Sequence, residues 1–112
     1  MELFLRLFAD CESAAVASGI AARLHTALLQ LNPEAFSPPK PYWKLPHLFE
    51  FAFTFSPPTE AQFHLLVSSP PGGWSHSASG AERSSVWNRA SDQIFLLPEV
   101  SWANVELFET AP

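Results

Sequence analysis

The side chains best suited to chemistry are few and scattered. The histidines stand at positions 25, 47, 64 and 76, and the one cysteine is Cys11. No two of these five lie within five residues of one another, so the chain lacks the local ligand pair that zinc sites use. No metal and no cofactor are expected. Cys11 precedes a helical stretch whose dipole would favour a thiolate, but nothing flanking it forms a nucleophile signature, and a lone cysteine reads as a small buried hydrophobe. Pro70-Pro71-Gly72-Gly73 supplies glycines without the following Lys or Thr, and without the strand-to-helix context, of a phosphate loop. Glu50 reads as a cross-strand partner for Arg6 or Lys44. No residue is assigned a catalytic role, and the expectation is that the chain is not an enzyme.

What the sequence does concentrate is charge and aromatic area. Acidic residues outnumber basic ones 11 to 6, a net charge of −5. That balance argues against direct binding of nucleic acid, which needs clustered Lys and Arg. From Pro57 onward the acids are Glu60, Glu82, Asp92, Glu99, Glu106 and Glu109, against Arg83 and Arg89 alone, and three of the four tryptophans (Trp74, Trp87, Trp102) fall in the same half. Aromatic anchors ringed by carboxylates suit an interface with a basic protein. A single cysteine fits a reducing compartment. Neither a signal peptide nor an apolar run of about 18 residues is apparent, so a cytoplasmic protein without a membrane segment is expected.

The elements that must position these residues follow from hydropathy period. Phe49, Phe51, Phe53 and Phe55 recur at every second position and define one face of a strand. Residues 3–9 read as another strand, with Leu3, Leu5 and Leu7 on one side and Phe4, Arg6 and Phe8 on the other; neither side is fully polar, which predicts cover on both. Residues 12–31 read as a helix with the stripe Val16, Ile20, Leu24, Leu28 and Leu31, capped by Asp10 or Ser13 and stopped at Asn32-Pro33. Residues 32–46 hold five of the eleven prolines and read as an extended connector, with Trp43 closing one end of the core. Residues 61–69 alternate through Phe63, Leu65 and Val67, which predicts a strand hairpinned to the Phe strand, its aromatic face lying on the helix stripe. Residues 70–83 read as an exposed loop, 84–88 as a short strand, 88–92 as a turn and 93–97 as a strand. From Trp102 to Glu109 the chain alternates again, with Ala103, Val105 and Leu107 inward and Trp102, Asn104, Glu106 and Phe108 outward. The sum is a single α+β domain over residues 1–112, an antiparallel sheet of about five to six strands with one long N-terminal helix packed on one face.

Ser84-Ser85-Val86-Trp87-Asn88-Arg89, followed by Phe95-Leu96-Leu97-Pro98-Glu99-Val100-Ser101-Trp102-Ala103-Asn104-Val105-Glu106-Leu107, resembles the C-terminal part of small bacterial immunity proteins, which pair with polymorphic or contact-dependent toxins. The likeness covers about 24 residues and assigns no one family within that group. It implies a cytoplasmic inhibitor that binds the C-terminal domain of a cognate toxin. Many such toxins are nucleases, hence basic, and an acidic inhibitor complements them. On this reading the partner-binding candidates are Trp74, His76, Glu82, Asp92 and Glu99 on expected loops, with Trp102 and Glu106 on an outward strand face. Two alternatives remain: a structural or adaptor domain that self-associates through a sheet edge as a homodimer, and a small-molecule-binding domain using a pocket between helix and sheet, which an enclosed cavity lined by His64 or His25 would favour.

Overall fold

The computed structural model describes residues 1–89 and 93–110. Six strands form one antiparallel sheet: β1 (Glu2–Asp10), β2 (Pro33–Pro41), β3 (Leu48–Phe55), β4 (Trp74–Ser79), β5 (Glu82–Asn88) and β6 (Val100–Phe108), in the spatial order β2-β3-β1-β6-β5-β4. The helix α1 (Ala14–Leu28), prolonged by a 3₁₀ turn at Leu29–Leu31, follows β1, and α2 (Glu60–Val67) follows β3. Both helices bury their apolar residues in one cluster with one face of the sheet. This is the expected α+β architecture, with a second helix added.

The register explains why that face is the core. β1 pairs Leu3, Leu5 and Leu7 with Phe55, Phe53 and Phe51 on one side, and with Leu107, Val105 and Ala103 on the other. Directly paired residues share a face, so alternation in three strands builds a single apolar layer. The four Phe rings of β3 are all buried, each worth roughly 2 kcal/mol of transfer free energy. Trp87 of β5 extends the layer at 0% exposure, and its indole N–H donates to the Gly72 carbonyl at 3.1 Å. Above the layer, α1 buries Ala17, Ile20, Leu24 and Leu28. The stripe is therefore turned slightly from the expected one: Ala17 packs, while Val16 is 47% exposed. Ser13 is the N-cap, its hydroxyl accepting from the Val16 N–H at 3.2 Å. The Ala14–Leu31 stretch reaches membrane-span length with a mean hydropathy of 1.2, which the sequence reading did not expect. Four of its residues, Ala17, Ile20, Leu24 and Leu28, pack on the sheet, and 22% of the stretch is buried.

Six expectations are corrected. Residues 61–69 are not a strand. Thr59 caps α2 by accepting from the Gln62 N–H at 3.3 Å, and helical spacing buries Phe63 and Leu66 while leaving Leu65 58% exposed. The connector at 32–46 contains β2, which tolerates Pro33, Pro38, Pro39 and Pro41 because it lies at the sheet edge, pairs only with β3 and shifts register twice. Within the expected loop at 70–83, Trp74–Ser79 forms the opposite edge strand in unbroken register with β5. Residues 93–97 form no strand, with bends at 95–97 and Phe95 buried as a plug beside Trp74 and Trp87. Trp43 closes no core; it is 80% exposed. Nor is the sheet covered on both sides, because both helices take the same face.

Gly73 has φ +94°, and a Cβ there would come within 2.6 Å of Trp87 Nε1 and 2.8 Å of the Asn88 carbonyl oxygen. Gly73→Ala is therefore expected to destabilise the fold by about 2 kcal/mol or more through strain and collision. Phe51→Ala should cost about 3–5 kcal/mol by leaving a cavity. Urea denaturation checks both, and a near-neutral Gly73→Ala would contradict the tight packing of the Gly72-Gly73 turn on Trp87.

Candidate functional site

The uncovered face of the sheet is built by the residues that alternate out of the core. Its central strand presents Phe4, Arg6 and Phe8, paired in register with Glu106, Asn104 and Trp102 of β6 and with Thr54, Ala52 and Glu50 of β3. Ser84 pairs with Glu106, so β5 adds Glu82, Ser84 and Val86 to the same face.

One end of this face is aromatic. Phe8 lies 4.5 Å from Tyr42 and 5.2 Å from Trp102, centroid to centroid, and Tyr42 lies 6.2 Å from Trp43. Tyr42 arrives there on the turn that links β2 to β3, fixed by its N–H donating to the Leu48 carbonyl at 2.9 Å. The Arg6 guanidinium lies over Phe8 at 5.0 Å and over Trp102 at 5.9 Å, a cation–π arrangement. Arg6 Nε also stands 3.4 Å from Glu50 Oε1, near enough for charge attraction but without hydrogen-bond geometry, and it is buried. Arg6, Phe8, Tyr42, Leu45, Leu48 and Trp102 surround an open hollow of about 340 Å³, with Trp43 standing beside it.

The other end is acidic. Glu2 pairs with Phe108 in register, Glu82 begins β5, and a Glu82 carboxylate oxygen accepts from the Glu109 N–H at 3.1 Å. Glu2, Glu82, Glu106 and Glu109 thus gather at one corner, and among the described residues none has a cation within ion-pair distance. The four residues from Trp102 to Glu106 put the acids about 13 Å from the aromatic end.

The expected site residues divide accordingly. Trp102, Glu106 and Glu82 lie on this face. Trp74 and His76 lie on β4 but on the helix side, since Trp74 pairs with Trp87 and His76 with Ser85. Glu99 is engaged elsewhere: Arg23 holds it in a bidentate pair, which keeps its carboxyl below the ordinary carboxylate range. Asp92 lies outside the described residues. Arg6, Phe8, Tyr42 and Trp43 were not singled out as an interface; the Tyr42-Trp43 pair between prolines was the available signal.

A second feature lies between α2 and the β4–β5 hairpin. It is a groove of about 540 Å³, open to solvent and lined by Phe63, His64, Val67, Ser68, His76, Ser77, Ala78, Arg83 and Ser85. Its floor is Ser85, 1% exposed, with its hydroxyl 2.6 Å from His76 Nδ1. A serine beside a histidine suggests a nucleophile, but this pair lacks the rest of the machinery. Ser85 sits in mid-strand, paired on both sides, so its N–H belongs to the ladder and is not free to stabilise an oxyanion. The histidine–carboxylate contact found among the described residues is His64 with Glu60, at 3.4 Å, and not one with His76. The geometry is that of a buried hydroxyl given its partner. Among the described residues no cluster of three His, Cys, Asp or Glu could hold a metal ion. Cys11 is buried, its thiol donating to the Ser13 carbonyl at 3.1 Å.

The stretch that resembles immunity proteins folds largely into β5 and β6, which are adjacent. Part of it is structural: Trp87 is core, and Arg89 donates to the carbonyls of Pro98, Glu99 and Val100 and pairs with Asp10 at 3.2 Å. No family model, no curated protein and no solved structure matches the chain.

The Arg23–Glu99 pair ties α1 to the turn before β6. Because the folded carboxyl is the stronger acid, its contribution is present above the unfolded pKa and is lost as pH falls through the lowered folded value. Glu99→Gln should lose less than about 1 kcal/mol at neutral pH, as a pair this exposed allows. Chemical denaturation across the acid range should show the difference from the parent protein closing below the ordinary carboxylate range; a constant difference would mean that the pair is not its source.

Proposed function

We propose that the chain is a protein-binding inhibitor of the immunity type, which neutralises a cognate bacterial toxin domain by covering its active site or a neighbouring surface. The observation that carries this reading is the open sheet face, with Phe8, Tyr42, Trp43, Trp102 and Arg6 at one end and Glu2, Glu82, Glu106 and Glu109 at the other. Tryptophan, tyrosine and arginine are the residues that dominate binding energy at protein interfaces. Unpaired carboxylates beside them raise the association rate of a basic partner and select against acidic ones. A basic nuclease domain has that chemistry, since its substrate is polyanionic. The same carboxylates oppose direct binding of nucleic acid to this chain. The resemblance of residues 84–107 to immunity proteins adds support, and with it a cytoplasmic location.

A second reading, self-association through a sheet edge, is favoured by β4. That strand carries no Asp, Glu, Lys or Arg and no proline along Trp74–Ser79, whereas four prolines protect the β2 edge.

The test is co-expression with the toxic C-terminal domain encoded immediately upstream, followed by purification through a tag on this chain. A stoichiometric complex without toxin activity is expected. Trp43→Ala removes an exposed ring and should leave stability unchanged while weakening binding about 30-fold or more, the loss typical of a hot-spot residue. Replacing Glu82, Glu106 and Glu109 together by Gln should slow association most at low salt. Glu99→Gln should leave binding unaltered. Unchanged toxin binding in the first two variants would remove this face as the docking surface, and absence of any complex would remove the immunity reading itself. In that event, concentration-dependent dimerisation seen by sedimentation would favour the β4 edge.

A further inference from the structure

We infer that the groove between α2 and the β4–β5 hairpin is a binding site for a small apolar or aromatic monocarboxylate. This does not depend on the inhibitor reading, because the groove lies on the helix side of the sheet and the proposed docking surface on the opposite side. At about 540 Å³ the groove falls within the ordinary range of small-molecule sites. Phe63, Val67 and Ala78 supply apolar walls. Trp74, stacked on His76 with ring planes 11° apart, stiffens the β4 wall.

Arg83, His64 and His76 line the groove, and Glu60 contacts both Arg83 and His64. Arg83 is already positioned. Its Nη1 donates to the carbonyls of Gly80 and Glu82 at 2.8 and 2.9 Å, and its Nε stands 3.3 Å from Glu60 Oε1. Among the described residues Nη2 has no protein partner, so an immobilised guanidinium retains two N–H donors. His76 is likewise fixed through Nδ1 by Ser85 and keeps Nε2 for a ligand. A carboxylate received by Arg83 gains a charge-assisted hydrogen bond, with His76, in the tautomer that carries a proton on Nε2, as a second donor, and both groups lose little freedom on binding. Glu60, beside the same guanidinium, selects a monoanion, because a phosphate dianion would face twice the repulsion there. A second groove of similar size, between α1 and β2, is lined by Ala21, Ala22, His25, Phe36, Pro38 and Pro39 among others, contains no Arg or Lys, and offers no comparable head-group site.

The probes are 2-naphthoate and 2-naphthalenemethanol, which share an aromatic body and differ in charge. Titration of the full chain, followed by calorimetry and by tryptophan fluorescence, should show saturable binding of the naphthoate about tenfold tighter than that of the alcohol. Arg83→Gln should bring the two to equal affinity. Ala78→Trp, which fills the groove from a strand position, should abolish both, with thermal melting showing that the variant is folded. Absence of saturable naphthoate binding into the millimolar range would overturn the proposal. So would equal affinity of the two probes for the parent protein, or naphthoate binding that survives in folded Ala78→Trp. The comparison of the two probes on the parent protein decides the matter even where a variant fails to fold.

Discussion

Only one face of the sheet is covered, and most other features follow from that. The helices that connect β1 to β2 and β3 to β4 both fall on the side of Leu3, Leu5, Leu7 and the four Phe rings. The opposite side must therefore be made tolerable in water by its own side chains. It is, but only partly: serines and carboxylates hold the β4, β5 and β6 end, while Phe8, Tyr42 and Trp102 shelter one another at the other end. Arg6, laid across Phe8 and Trp102, covers apolar area with its stem while its charge is balanced by Glu50.

The charge distribution sharpens the same point. Several of the acids are used internally: Asp10 with Arg89, Glu50 with Arg6, Glu60 with Arg83 and His64, and Glu99 with Arg23. Apart from Glu60 with His64 inside α2, these pairs join segments far apart in the chain. The carboxylates left over are not scattered evenly; Glu2, Glu82, Glu106 and Glu109 gather where the ends of β1 and β6 meet the start of β5. Clustering like charges costs free energy, and a partner of opposite sign would relieve that cost. The net charge of the sequence pointed to a basic partner without saying where, because pairing was invisible in it.

Legibility in the sequence followed the range of the interactions. The Phe strand, β1, the body of α1, Ser13 as a capping candidate and the inward and outward sets of β6 were all readable, because each is set by local period or by a neighbour three residues away. α2 was misread because Phe63, Leu65 and Val67 alternate by coincidence; the Thr59-x-x-Gln62 pattern was the local signal that outranked them. In the structure Gln62 uses its side chain differently, donating to the Leu31 carbonyl at 2.9 Å and so tying α2 to the end of α1. β2 and β4 were missed for a different reason. A proline-rich run and a run of serines have weak strand propensity, and both became strands because a sheet edge was there to pair with. Arg6 with Glu50 was foreseen as a cross-strand pair. Arg23 with Glu99 was not, since 76 residues separate them.

The candidate site was less legible than the fold because both of its parts are products of register. The sequence marks Trp74, His76 and Trp102 alike as aromatic residues in an acidic half, yet pairing sends Trp102 to the open face and the other two to the helix side. One face then carries aromatic residues beside carboxylates, and the other carries a groove lined by Arg83 with Ser85 at its floor. The sheet itself, a low-dielectric layer packed with leucine and phenylalanine, separates the two. A ligand in the groove would touch α2, β4 and, through Arg83, β5, whereas a protein on the open face would touch β1, β6, the turn carrying Tyr42 and, through Glu82, β5. Any coupling between the two binding events would therefore run through β5, which presents adjacent residues to opposite sides of the sheet.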